Sequence, residues 1–139
     1  MPLYPTVMKT LLAGLAVLVS FSLLQTVEAA NAAKPVRKGK LVHVVSFKFK
    51  PTATQMQVDQ VVEAFRRLPQ KVKQIASFEW GTNVSPEKHD KGFTHAFILT
   101  FKSDRDRDEY LVHPDHQEFA KLVGPVVADV FVLDYWAGK

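Results

Sequence analysis

Hydrophobic and polar positions along this chain follow two periods, and the switches between them outline the elements. Residues 41–49, LVHVVSFKF, are rich in β-branched and aromatic side chains and predict a strand, which Pro51 ends. Val58, Val61, Val62, Phe65 and Leu68 then recur at helical spacing. Thr54 is placed to cap that helix, and Pro69 is expected to stop it. A short turn carries Val72 and Ile75. Residues 77–84, SFEWGTNV, predict a second strand, 85–92 a polar loop, and 93–101, FTHAFILTF, the clearest strand of the chain. Ser103 is a cap for a short helix whose exposed face is DRDRDE. Pro114 suits the first position of a second helical segment, and Gly124-Pro125 loosens that segment's end. Residues 129–137 predict the last strand.

The order is β-α-β-β-α-β, an α+β split βαβ sandwich of ferredoxin-like type. Strand phase adds detail, because side chains alternate faces with period two. Leu41, His43, Val45, Phe47 and Phe49 share one face of the first strand; Phe93, His95, Phe97, Leu99 and Phe101 share one face of the third. These apolar rows are expected to face the helices. The opposite rows (Val42, Val44, Ser46, Lys48; Thr94, Ala96, Ile98, Thr100) are semi-polar and β-branched. A face of that kind suits a second sheet, so the expected partner is another copy of the chain, closing a dimeric α/β barrel.

The 139 residues do not all belong to this domain. Lys9 precedes an apolar run from Leu11 to Leu24, and small residues follow, with Val27-Glu28-Ala29 and Ala30-Asn31-Ala32 both acceptable for cleavage. That is the pattern of a secretory signal peptide over residues 1–33, with Met8 the better start. The run falls short of the roughly 20 residues that span a bilayer, so a stable membrane anchor is not expected. The protein is therefore expected to be exported, periplasmic or secreted. Residues 34–40, KPVRKGK, form a basic spacer ahead of the domain at 41–139. The net charge of +4 resides mostly in that spacer, since residues 41–139 hold thirteen bases and thirteen acids. A nucleic-acid partner is not implied. With no cysteine, stability must come from packing.

Candidate chemistry concentrates in EYLVHPDHQEF, residues 109–119. Tyr110 and His116 lie six apart across a proline, so they need not diverge as they would on one straight helix. A histidine serves as base near neutral pH, and a tyrosine stays protonated and donates. Together they could remove a proton beside a carbonyl and hold the resulting oxyanion. A buried Tyr–His contact that only pins a helix kink would leave the same residues. His113 and His116 form an HxxH spacing without the glutamate of zinc peptidases, so no metal is expected. His113 reads as a helix N-terminal residue.

The segments HVVSFKFK, WGTNVS, KGFTHAFILTFKS, EYLVHPDH and VLDYW resemble the Dabb domain, the dimeric stress-responsive α/β-barrel family, over residues 41 to about 136. The resemblance implies the dimeric barrel. Stress proteins belong to the family, and so does a plant polyketide cyclase, olivetolic acid cyclase, which works without cofactor. By that resemblance the catalytic pair falls on His116 and Tyr110. The other pocket histidines fall on His43 and His95, and Phe65 and Phe97 would also contact ligand. Several of the cyclase's pocket positions carry different side chains here, with Phe78 and Phe97 among the bulky ones. The implied activity is binding of a small apolar or polyketide-like ligand, a role in stress protection, or cofactor-free lyase or cyclase chemistry.

Overall fold

A computed structural model describes residues 39–138. The signal peptide expected at 1–33, and the spacer up to residue 38, lie outside the described residues. Four strands and three helices run in the order β1 (Leu41–Phe49), α1 (Gln55–Lys71), β2 (Ser77–Thr82), β3 (His95–Phe101), α2 (Asp104–Leu111), α3 (Pro114–Val123) and β4 (Val127–Trp136). The strands form one antiparallel sheet in the order β2-β3-β1-β4. The fold is ferredoxin-like, with the expected second helix divided into α2 and α3.

Local chemistry sets the helix boundaries. Thr54 and Gln57 form a capping box: Thr54 Oγ1 accepts from the Gln57 amide at 3.3 Å, and Gln57 Oε1 accepts from the Thr54 amide at 2.9 Å. Ser103 Oγ accepts from the Asp106 amide at 3.1 Å, with Asp104 and Asp106 in the favourable first turn of α2. Pro114 occupies the first turn of α3, and His113 is its N-cap. Pro69 departs from expectation, because α1 runs on through Lys71. Proline removes only its own amide, so the helix continues for two residues before Val72, whose amide donates to the Leu68 carbonyl at 2.8 Å. The strand ends also shift: β2 stops at Thr82, β3 starts at His95, and β4 starts at Val127.

In β1 and β3 the helix-facing rows are the buried ones, with Val42 the one buried residue of the opposite rows. Leu41, His43, Val45 and Phe47 of β1 and Phe97, Leu99 and Phe101 of β3 pack under the helices. Phe65 of α1 is the hub, with ring centroids 4.4 Å from Phe97, 4.6 Å from Phe119 and 5.9 Å from Phe47. Each such ring contributes roughly 1.5–3 kcal/mol by burial. On the opposite face β4 adds Phe131, Leu133 and Tyr135, each close to half exposed, beside the half-buried Val44 and Ile98. β4 is also an edge strand, so one row of its backbone groups has no partner in the sheet.

Candidate functional site

Two strands and the break between α2 and α3 bring the polar residues together. β1 directs His43 toward the helices, and the antiparallel register sets it opposite Asp134 of β4. Tyr110 ends its ring in the last turn of α2, and His116 lies in the first turn of α3. The break at Val112–His113 folds the second helix back, so the Tyr110 and His116 rings meet with centroids 4.3 Å apart. Tyr110 stands edge-on to His43 at 5.8 Å. These three residues and Asp134 form the polar end of a cavity of about 360 Å³. Its remaining walls are apolar, with the paired strand residues Val45, Val132, Phe47 and Val130 on the sheet side and Phe65 and Val123 from α1 and α3 on the helix side. A larger hollow of about 1050 Å³ is an open groove between α1 and α3, rimmed by Asp59, Glu63, Arg67, Lys71 and Glu118. Its walls include neither Tyr110 nor a histidine, so the acid–base groups belong to the smaller cavity.

Hydrogen bonds fix the state of each ring. His116 Nδ1 lies 3.1 Å from the Leu111 carbonyl, one of the groups left over at the end of α2. A carbonyl only accepts, so Nδ1 carries the hydrogen and Nε2 keeps its lone pair. Burial lowers the proton affinity of His116; the Leu111 carbonyl opposes this, and positive charge on His43 or His113 would add to it. The ring is therefore neutral at pH 7. Tyr110 is 1% exposed, and burial raises its hydroxyl well above the ordinary phenol range, so it remains a donor. That hydroxyl makes no hydrogen bond to protein among the described residues, and no fully buried side-chain atom there lacks a partner. The oxygen therefore opens to the cavity. His43 Nδ1 lies 2.6 Å from Asp134 Oδ1, and the Arg107 guanidinium donates to Asp134 Oδ2.

Other residues singled out in the sequence stand elsewhere. His95 pairs across from Phe47 and Thr82, whereas His43 pairs with Leu99. Four residues of strand separate Leu99 from His95, about 13 Å at strand rise. His95 meets Phe49 edge-on at 5.0 Å and shares a hydrogen bond of 2.9 Å with Thr94. Its expected position beside His43 is thus not the one it occupies, and it does not line the cavity. Phe97 is fully buried under Phe65, with Trp80 beside it across the β2–β3 pair, and is core, while Phe65 serves both core and cavity wall. His113 Nδ1 accepts from the Asp115 amide at 3.2 Å. That cap needs a lone pair on Nδ1. The 3.6 Å approach of Asp115 Oδ2 would need a proton there, and the better-formed cap takes precedence. Asp134 and Arg107 escaped sequence reasoning. The one available signal was an acid inside the apolar strand VFVLDYW.

The arrangement offers a neutral imidazole with a free lone pair, a phenol donor and a carboxylate-bound imidazole at one end of an apolar chamber. The stress responsive A/B barrel domain profile matches residues 41–137. The chain belongs to the Dabb family. It is 33% identical over 98 residues to the stress-response A/B barrel domain-containing protein HS1 of Arabidopsis thaliana, covering 70% of this chain and 90% of that one. Identity to olivetolic acid cyclase of Cannabis sativa is 25% over 97 residues, covering 70% and 96%. Among solved structures, the hydroxynitrile lyase of Passiflora edulis superposes with a TM-score of 0.69 at 30% identity, covering 74% and 97%. A dimeric ferredoxin-like protein of unknown function from Thermobifida fusca superposes with a TM-score of 0.62 at 21% identity, covering 74% and 96%.

Proposed function

We propose that the mature chain is an exported homodimer that holds a small, mostly apolar molecule in the 360 Å³ cavity, in the manner of a binding or stress-protective protein. The observation that carries this reading is the convergence of Tyr110, His43 and His116 at one end of an otherwise apolar chamber. Pockets with few polar groups and apolar walls orient a ligand by its one polar end. A carbonyl or hydroxyl oxygen facing Tyr110, with a hydrocarbon tail along Val45 and Val132, matches that division. The homodimer is supported by the exposed apolar row Phe131, Leu133 and Tyr135, and by the unpaired edge of β4, which is free to meet another chain. Export rests on the apolar leader.

A second reading has a specific observation in its favour. The tautomer of His116 and the protonated state of Tyr110 are those that cofactor-free proton abstraction requires. In that reading the chain is a lyase or polyketide-cyclase-like enzyme, with Tyr110 donating to the developing oxyanion and the base assigned from sequence to His116. The names of the hydroxynitrile lyase and olivetolic acid cyclase relatives fit this class. The binding reading is tested by titrating 2-heptanone into the labelled mature protein. Expected are joint shifts of the Val45, Val123 and Val132 methyls and the Tyr110 and His116 rings. Shifts confined to Met56 and Leu122, in the α1–α3 groove, would count against it.

A further inference from the structure

We propose that His43, positioned by Asp134 and Arg107, is the proton acceptor of this cavity, and that His116 remains a neutral hydrogen-bonding partner. The inference rests on the cavity being the ligand site. Three observations carry it.

The first is direction. A carboxylate only accepts, so the hydrogen in the 2.6 Å contact between His43 and Asp134 sits on Nδ1. Nε2 then holds the lone pair. That atom makes no hydrogen bond to protein among the described residues, yet no side-chain atom there is both sealed from solvent and unpartnered. Nε2 therefore reaches the cavity that His43 lines. The second is charge. Arg107 bonds Asp134 Oδ2 through its guanidinium and Asp108 Oδ1 through Nε at 2.7 Å. Two carboxylates share this one cation, so the cluster keeps a net negative charge, part of it on Asp134 beside His43. His116 has only the Leu111 carbonyl at its Nδ1, a dipole and not a counter-ion. A charge that forms at hydrogen-bond distance from a carboxylate is better stabilised than one that meets only a carbonyl dipole. The third is rigidity. Asp134 is held from two sides, by His43 of β1 and Arg107 of α2, so the His43 ring cannot turn without giving up its bond to a carboxylate that Arg107 fixes in place.

In the step this permits, a proton leaves a C–H or O–H of the bound molecule for His43 Nε2. Its electron pair stays on the molecule and collects on an oxygen that the Tyr110 hydroxyl meets. His43 is the group that touches the reacting proton. Asp134 and Arg107 act through it and are positioning residues.

The test uses 5-nitrobenzisoxazole, a small carbon acid. Base removes its C3 hydrogen, that electron pair completes a nitrile, and the N–O bond breaks to a coloured phenolate. His43→Gln is expected to lower the ring-opening rate by about 10²- to 10⁴-fold. His116→Gln should lower it by less than about tenfold on the same scale. Asp134→Asn and Arg107→Leu should each slow it, and Arg107→Lys should restore most of the loss. A readout that needs no variant of His43 is its ring ¹⁵N spectrum. The wild type should show hydrogen on Nδ1 and none on Nε2, and Asp134→Asn should turn this into a mixture of tautomers. A purely structural Asp134 would lower the unfolding temperature and leave the tautomer fixed. Hydrogen on Nε2 of wild-type His43, or ring opening that depends on His116 more than on His43, overturns the proposal. Probe binding without ring opening beyond that of free imidazole at equal concentration also overturns it, while sparing the ligand site. Failure of the probe to bind removes both.

Discussion

Replacing Tyr110 by Phe separates a packed kink from a working site. The ring is 1% exposed and lies against Phe101 at 5.2 Å, His43 at 5.8 Å and His116 at 4.3 Å, and Phe keeps all of those contacts. Only the hydroxyl is lost, and it has no protein partner among the described residues. The change should therefore cost less than about 1 kcal/mol, below the 1–3 kcal/mol of removing a partner from a buried hydrogen bond. His116→Ala is different. It removes the hydrogen bond to Leu111, worth about 0.5–1.5 kcal/mol net, and the tilted ring contact with Tyr110, worth a similar amount, so it should cost about 1–3 kcal/mol. For a domain of about 100 residues each kcal/mol moves the midpoint by roughly 4–8 °C. Thermal unfolding by circular dichroism on wild type and both variants reads these values directly. Affinity for 2-heptanone, measured on the same samples, should fall in Tyr110→Phe. A Tyr110→Phe midpoint as low as that of His116→Ala, with affinity unchanged, would show that the hydroxyl supports structure alone.

Three further outcomes follow from the same geometry. Val44→Asp places a charge in the centre of the exposed sheet face and should give monomeric or unfolded protein by light scattering; a soluble folded dimer would refute the barrel. Burial lowers His116 and His95, so the folded state binds fewer protons than the unfolded one. Their contribution to stability is complete above the ordinary histidine value of about 6.5 and is lost as pH falls through the lowered folded values. The unfolding midpoint should therefore drop from pH 7.5 to pH 5, and less in His116→Gln; a midpoint that rises over this range would reverse the sign. Protein taken from its native host should begin between Ala30 and Lys34 by N-terminal sequencing, and an intact start at Met1 or Met8 would remove the export claim.

Legibility in the sequence followed what periodicity encodes. Alternation put His43 and His95 on helix-facing rows, because the face a strand residue takes is local. How far along the sheet two histidines stand from each other is set by strand register, which is not local. His95 thus landed at the far end, across from Phe47, and Asp134 came to His43 without any spacing to announce it. Pro114 and Ser103 marked their helix starts because each satisfies an end of the helix by itself. Pro69 misled, since a proline near a helix end removes one bond and two further residues can still wind. The exposed row on β4 was missed because it alternates with Val130 and Val132, and a strand apolar on both faces has no period to read.

The central claim is a ligand site whose polar end is Tyr110 with the two imidazoles. A crystal structure of the mature protein with 2-heptanone tests it most directly. The carbonyl oxygen should lie within about 3 Å of the Tyr110 hydroxyl, with the hydrocarbon chain along Val45, Val123 and Val132. A cavity closed by its own side chains, or the ketone seated only in the α1–α3 groove, would contradict it.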